Sequence, residues 1–154
     1  MPKIDVAACP PRIGSGYPLP FRLEAAAREK RALGDAAGLS GFGVNLTRLP
    51  PGGVSSQRHW HSHEDEFVYV LAGELVLIDD ADETRLAAGD CAGFKAGVPN
   101  GHRLINRGAV DALYLEVGER RQDDSVTYPD VDMHLPAGVN PGFTHKNGTP
   151  YAPD

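Results

Sequence analysis

The chain has only two cysteines, Cys9 and Cys91, far apart and in no CxxC pair. That excludes a disulfide-stapled scaffold and makes a reduced cytoplasmic setting the expectation. It has no apolar run near the roughly 18 residues of a membrane helix, and its opening, "MPKIDVAACPPRIGSG", has no basic stretch leading into an apolar core. A soluble protein without a membrane partner is expected. Positive charge is not in excess either: the formal net charge is −6, and the clusters "REKR" and "ERR" are short and mixed with acids, as on a solvated surface. With no recognisable helix-turn-helix, no nucleic-acid partner is expected. No internal repeat or low-complexity tract is evident.

What is abundant sets the texture. A length of 154 residues suits one domain, large enough to bury roughly two thirds of its unfolded surface. The 18 glycines and 13 prolines make up about a fifth of the chain, above the usual total of about 12%, and imply many tight turns. Between Gly41 and Gly118 short apolar stretches, "FGVNLTRL", "EFVYVL", "ELVLID", "HRLINR" and "ALYLEV", alternate with the turn signals "PPGG", "AG", "DDADE", "AAGD" and "NRGAVD". This reads as an all-β antiparallel sandwich or small barrel. Residues 1–40 form an N-terminal extension, in which "RLEAAAREKRAL" over 22–33 predicts a short helix ended by Gly34. Residues 119–154 are polar and rich in turn formers, with Tyr128, Met133, Leu135 and Phe143 as scattered anchors. They predict an extended C-terminal arm packed on the barrel or on a neighbouring subunit.

The densest chemistry lies in "RHWHSHEDEF", residues 58–67. Alternate side chains of a strand share a face, so His59 and His61 can converge on one ion while Trp60 points away. A turn through Ser62 to Asp65 then leads into the next strand, with Glu66, Val68 and Val70 on one face and Phe67, Tyr69 and Leu71 on the other. A carboxylate opening an otherwise apolar strand is costly to bury unless a positive charge compensates it, and a divalent cation does so. A solvated, histidine-rich turn is the bland reading of the same run. A shifted pair, His61 with His63, and a carboxylate from Glu64 instead of Glu66 also satisfy the parity, while Asp65 is expected to face solvent.

The spacing resembles that of the cupins. The first cupin motif sets a glycine, HxH, a glutamate and a second glycine at fixed intervals, and "GVSSQRHWHSHEDEFVYVLAG" supplies Gly53, His59, His61, Glu66 and Gly73 at those positions. The second motif is similar to "GDCAGFKAGVPNGHRLIN", with Gly89, Gly97, His102 and Asn106 in order. Lys95 stands where the pattern has proline, and the step from Gly97 to His102 is longer than usual. The resemblance covers roughly residues 41–118. It implies a double-stranded β-helix, or jelly roll, holding one divalent transition metal per chain (Fe, Mn, Ni, Co or Zn) through His59, His61, Glu66 and His102. Four protein ligands leave a six-coordinate ion two open positions.

Other residues have weaker claims. Gln57, sharing the predicted face of His59, and Tyr114, on the "ALYLEV" strand, are candidates to bind substrate. Tyr114 and His63 are nominated for proton transfer. Lys95 is read as a surface lysine, Asn106 as a turn anchor and Cys91 as a buried small apolar residue. A phosphate subsite would have to draw on Arg48, Arg58, Lys95 or Arg103. The function expected is that of a metal-dependent enzyme acting on a small oxygen-rich molecule by dioxygenation, isomerisation or elimination. The alternative is a cupin that binds or senses a small molecule without turnover. An outward face of Phe67, Tyr69 and Leu71, together with the long arm, predicts a homodimer.

Overall fold

The computed structural model describes residues 3–152. Its strands, all antiparallel, are β1 (Arg12–Ile13), β2 (Glu29–Ala32), β3 (Phe42–Leu49), β4 (Trp60–His61), β5 (Glu66–Ala72) and β6 (Glu74–Ile78) in the first half. The second half adds β7 (Glu83–Ala87), β8 (Cys91–Phe94), β9 (Arg103–Ile105), β10 (Ala112–Glu119), β11 (Val126–Tyr128) and β12 (Met133–Leu135). One sheet runs β1-β2-β3-β10-β5-β8, and two shorter ones run β7-β6-β9 and β12-β11-β4. Bridges Val54↔Ile105 and His59↔His102 join the two short sheets into one layer facing the first. This is the double-stranded β-helix that the motifs imply.

The layers are tied by strands that change sheet. β5 belongs to the large sheet and β6 to the opposite one, and the chain crosses between them at Gly73, whose φ is +72°. A Cβ there would lie 2.6 Å from the Asp111 carbonyl oxygen, so only glycine permits the crossing. Between the layers Leu49, Val68, Val70, Leu75, Leu86, Leu104, Ala112 and Tyr114 form the main core. Along β5 burial alternates as its sequence predicts: Val68 and Val70 are buried, while Phe67, Tyr69 and Leu71 are exposed.

The N-terminal flank departs from expectation. Residues 22–33 do not form the predicted helix; a 3-10 turn at Phe21–Leu23, strand β2 and a four-residue helix, α1 (Leu33–Ala36), take its place. Helix-forming composition over this stretch is outweighed by pairing with β3, in which Glu29, Lys30, Arg31 and Ala32 oppose Arg48, Thr47, Leu46 and Asn45. The salt bridge from Arg48 to Glu29, at 2.9 Å, fixes that register. The C-terminal arm packs on its own barrel. Val126, Tyr128 and Met133 form a second buried cluster, with Tyr17, Phe21, Leu135, Phe143 and Tyr151 packed against it. Among the described residues no helix is long and apolar enough to cross a membrane.

Candidate metal centre

Strand pairing builds the site. His59 and His102 oppose each other across the bridge, each backbone N–H donating to the other's carbonyl at 3.1 and 2.9 Å, so their imidazoles emerge side by side. His61 closes β4 two residues on, and Glu66 opens β5. The result is convergence on one atom: the Nε2 atoms of His59, His61 and His102 lie 3.5, 3.5 and 3.0 Å from Glu66 Oε2.

That oxygen is buried and, among the described residues, has no hydrogen-bond partner despite three nitrogens around it. An orphaned buried carboxylate oxygen facing three imidazole nitrogens suits lone pairs all aimed at a cation. Donor atoms of His59, His61 and Glu66 all lie within 4.8 Å of one another, a group that could hold a metal ion.

The far side of two rings fixes which nitrogen is free. His59 Nδ1 donates to the Gln57 carbonyl oxygen at 2.9 Å, and His61 Nδ1 donates to Asp124 Oδ2 at 2.7 Å. Both bonds place the proton on Nδ1 and leave the Nε2 lone pair for a ligand bond. The His102 ring is held differently, stacked on Phe94 with centroids 3.5 Å apart and planes within 2°.

Electrostatics favour the charge states a cation needs at two of the four groups. Burial pushes the Glu66 carboxyl upward, but His102, His59 and His61 outweigh it and hold the group well below the usual carboxylate range. Burial also dominates at His102 and lowers its pKa, keeping the ring neutral. At His59 burial acts the same way and is overcome by Glu66, so its pKa is raised. A proton there stands where a cation would compete for the same lone pair.

The alternative residues raised by the sequence lie in different places. His63 is exposed and its Nδ1 meets the Ser62 hydroxyl at 2.8 Å, away from Glu66. Glu64 sits on the Nδ1 side of His61 at 3.7 Å and accepts the Arg121 N–H at 2.6 Å. Glu64, Asp124 and His61 form a second group of donor atoms. In it, however, Asp124 is satisfied, since its Oδ1 accepts the N–H groups of His63 and Glu64 at 2.8 and 3.2 Å.

Two cavities meet at Glu66, Phe94 and His102. The inner one, about 150 Å³, runs into the barrel past Tyr17, Arg28, Lys30, Ser55, Tyr114 and Glu116. The outer one, about 230 Å³, is bordered by Trp60, His61, Glu64, Lys95, Val98 and Asn100. Tyr114 stands in the wall of the inner cavity, fully buried, with its hydroxyl 3.4 Å from Glu116 Oε2. Burial pushes its pKa well up and keeps it protonated.

Gln57 does not line either cavity; its amide nitrogen donates to the Phe21 carbonyl oxygen at 3.2 Å and to Glu24, pinning the N-terminal segment. Asn106 anchors its turn, donating to the Leu49 and Val110 carbonyls at 2.8 Å. Cys91 is exposed rather than buried, because it shares the outward face of β8 opposite Tyr69. Three of the four basic residues nominated for phosphate are otherwise engaged, Arg48 by Glu29 and Asp111, Arg58 by Asp80 and Asp130, and Arg103 by Glu24, while Lys95 borders the outer cavity. Sequence reasoning missed Asp124, Arg28, Lys30 and Glu116. Only the alternation that places Glu116 on the same face as Tyr114 was available to signal any of them.

Comparison with known proteins agrees with this geometry. Residues 45–118 match the cupin domain family. The whole chain is similar to a protein from Silicibacter pomeroyi DSS-3 described as a sugar phosphate isomerase from a cupin superfamily. The identity is 46%, 97% of this chain and 96% of that one are covered, and the TM-score is 0.92. A putative sugar phosphate isomerase from Acidithiobacillus ferrooxidans is 30% identical, with 86% and 85% covered and a TM-score of 0.75. A predicted oxalate decarboxylase from Thermotoga maritima, 24% identical over 77% of this chain and 99% of that one, shares the fold at a TM-score of 0.63. No curated protein sequence matches. The chain belongs to the cupin superfamily, whose members commonly bind a divalent metal.

Proposed function

We propose that this cupin is a metal-dependent isomerase of a small, oxygen-rich anion of the sugar-phosphate class. One divalent transition metal per chain would be held by His59, His61, Glu66 and His102. The observation that carries the reading is the buried Glu66 oxygen ringed by three imidazole nitrogens where the two cavities join. The similarity to the Silicibacter pomeroyi protein supports the reaction class.

When bound, a divalent cation supplies Lewis-acid polarisation of a carbonyl or hydroxyl oxygen. The chain's own residues supply the rest. Glu116 is a carboxylate inside the cavity, its Oε1 held by Lys30 and by Asn45 at 3.1 Å. It is the group placed to move a proton between adjacent carbons, a role for which Tyr114, kept protonated, serves only as a hydrogen-bond donor. Phe94, Leu104 and Val68 line the same space and exclude water.

The outward face of the large sheet supports a homodimer. Phe67, Tyr69 and Leu71 are each about two-fifths exposed, and Leu46, Leu115 and Val117 stand beside them in register. Two free cysteines suit the reducing cytoplasm.

The test is reconstitution with Fe(II), Mn(II), Ni(II) and Zn(II) separately, followed by assay against sugar phosphates with oxygen uptake recorded. Oxygen-independent turnover with more than one metal, accompanied by solvent deuterium entering the carbon next to the carbonyl, is expected. Oxygen consumption with Fe(II) alone would replace the isomerase by a dioxygenase. Tight binding without turnover under any metal would make the protein a binding module.

A further inference from the structure

We infer that Arg28 is the anchor for the anionic end of the substrate, forming an oxyanion subsite in the inner cavity that is separate from the metal ligands. The inference rests on the proposed function for its substrate class and on the geometry of Arg28 for its location.

Arg28 lines the inner cavity, yet among the described residues none of its hydrogen bonds goes to a carboxylate. Its Nε and Nη2 donate to the Gly14 carbonyl oxygen at 3.2 and 2.8 Å, and its Nη1 donates to the Ser55 carbonyl oxygen at 2.6 Å. Among the described residues it forms no salt bridge, in contrast with Arg48, Arg58, Arg103, Arg107, Arg120 and Arg121, which all do. Neutral carbonyls orient a guanidinium without cancelling its charge. A guanidinium has five N–H donors, and the three in use leave one on each terminal nitrogen, the fork that fits a phosphate or carboxylate.

The charges around the cavity point the same way. Arg28 and Lys30 balance Glu66 and Glu116, so a divalent ion on Glu66 leaves a surplus of two positive charges in a partly buried space. Burying uncompensated charge is costly, and a dianionic ligand removes the cost. Lys30 is bonded to Glu116, which leaves Arg28 as the cation without an anionic partner. The N-terminal extension thus gains a function: Gly14, on the loop after β1, clamps the arginine that starts β2's approach to the cavity.

The probe is inorganic phosphate, titrated calorimetrically into the Zn(II)-loaded full chain and into the chelator-stripped chain. In Arg28→Gln, phosphate affinity is expected to fall at least tenfold while bound metal per chain stays unchanged, and Arg28→Lys should recover part of the loss. Stripping the metal should weaken phosphate binding but leave it dependent on Arg28. Equal phosphate affinity in wild type and Arg28→Gln, or affinity that tracks metal content alone, overturns the subsite. Should neither variant fold, the arginine Nε–H resonances of the wild-type chain decide: one resonance moving on phosphate addition supports the subsite, and none moving overturns it. Failure of turnover with Arg28-dependent phosphate binding intact would sink the isomerase reading alone. Turnover with Arg28-independent binding would sink this one alone.

Discussion

His61 Nδ1 lies 2.7 Å from Asp124 Oδ2, a carboxylate sixty-three residues further along the chain. The side chain of Asp124 is only 6% exposed, and it is held in turn by two backbone amides, so it cannot swing away from the imidazole. Such a partner fixes ring orientation and strengthens the ligand nitrogen. Asp124→Asn is therefore expected to weaken metal binding by about 10–100-fold while the stripped chain unfolds near the wild-type temperature. Competition against a chromophoric chelator measures it, and unchanged affinity would mean that packing alone aims His61.

Replacing His59 and His61 together by alanine should abolish bound metal, read by elemental analysis of protein purified without a histidine tag. His63→Ala should leave it intact, since His63 faces solvent and the Ser62 hydroxyl. Metal lost with His63 and kept without His59 would restore the shifted histidine pair.

A pH effect should appear at Asp130. Its hydrogen bond from Arg58 holds the carboxyl below its ordinary value. The resulting stabilisation is fully present above the unfolded carboxyl's pKa near ~3.9 and disappears as pH falls through the lowered folded value. The Asp130 side chain is 53% exposed, so screening keeps the effect small. At pH 7, Asp130→Asn should lower the melting temperature by roughly 1–3 °C, consistent with a contribution of about 0.5–1 kcal/mol. Near about pH 2 the two melting curves should converge; a constant offset across pH would assign the loss to packing.

Gly73→Ala forces a side chain into a positive-φ crossing with a carbonyl oxygen 2.6 Å from the new carbon. A cost of about 2–3 kcal/mol is expected in urea unfolding. A cost under about 0.5 kcal/mol would show that the crossing between sheets yields easily.

The homodimer is tested at Tyr69, central on the outward face between Leu115 and Cys91. Tyr69→Glu should shift light-scattering mass from dimer to monomer at micromolar concentration without changing bound metal. A wild-type monomer, or a mutant that stays dimeric, removes this face from consideration.

Much of the barrel could be read from sequence because strand alternation is a local signal. "FGVNLTRL" is β3 residue for residue, and "EFVYVL" gives all but the last residue of β5. His59, His61 and Glu66 are legible because two strands and one turn bring them together, whereas His102, brought in by a bridge from a distant segment, is signalled only by the resemblance to the second cupin motif. Where the chain's neighbours decide, reading fails. Composition favoured a helix at 22–33, but the open edge of β3 took up Glu29–Ala32. Arg28, Lys30 and Asp124 lie in flanks with no pattern of their own. They reach the site only through pairings with β3 and β4 that no local spacing encodes.

The pairing of β11 with β4, Val126 opposite His61 and Thr127 opposite Trp60, has a consequence for where this protein can be cut. The segment shared with the cupin domain family ends at residue 118 and contains all four proposed ligands. Stopped there, the chain would keep every donor atom yet lose the strand that seats His61 and the carboxylate that aims it. The smallest unit in which the proposed ligand set stays aimed is thus larger than the segment that matches the cupin domain, and trimming, grafting or fusing this barrel has to carry the arm along.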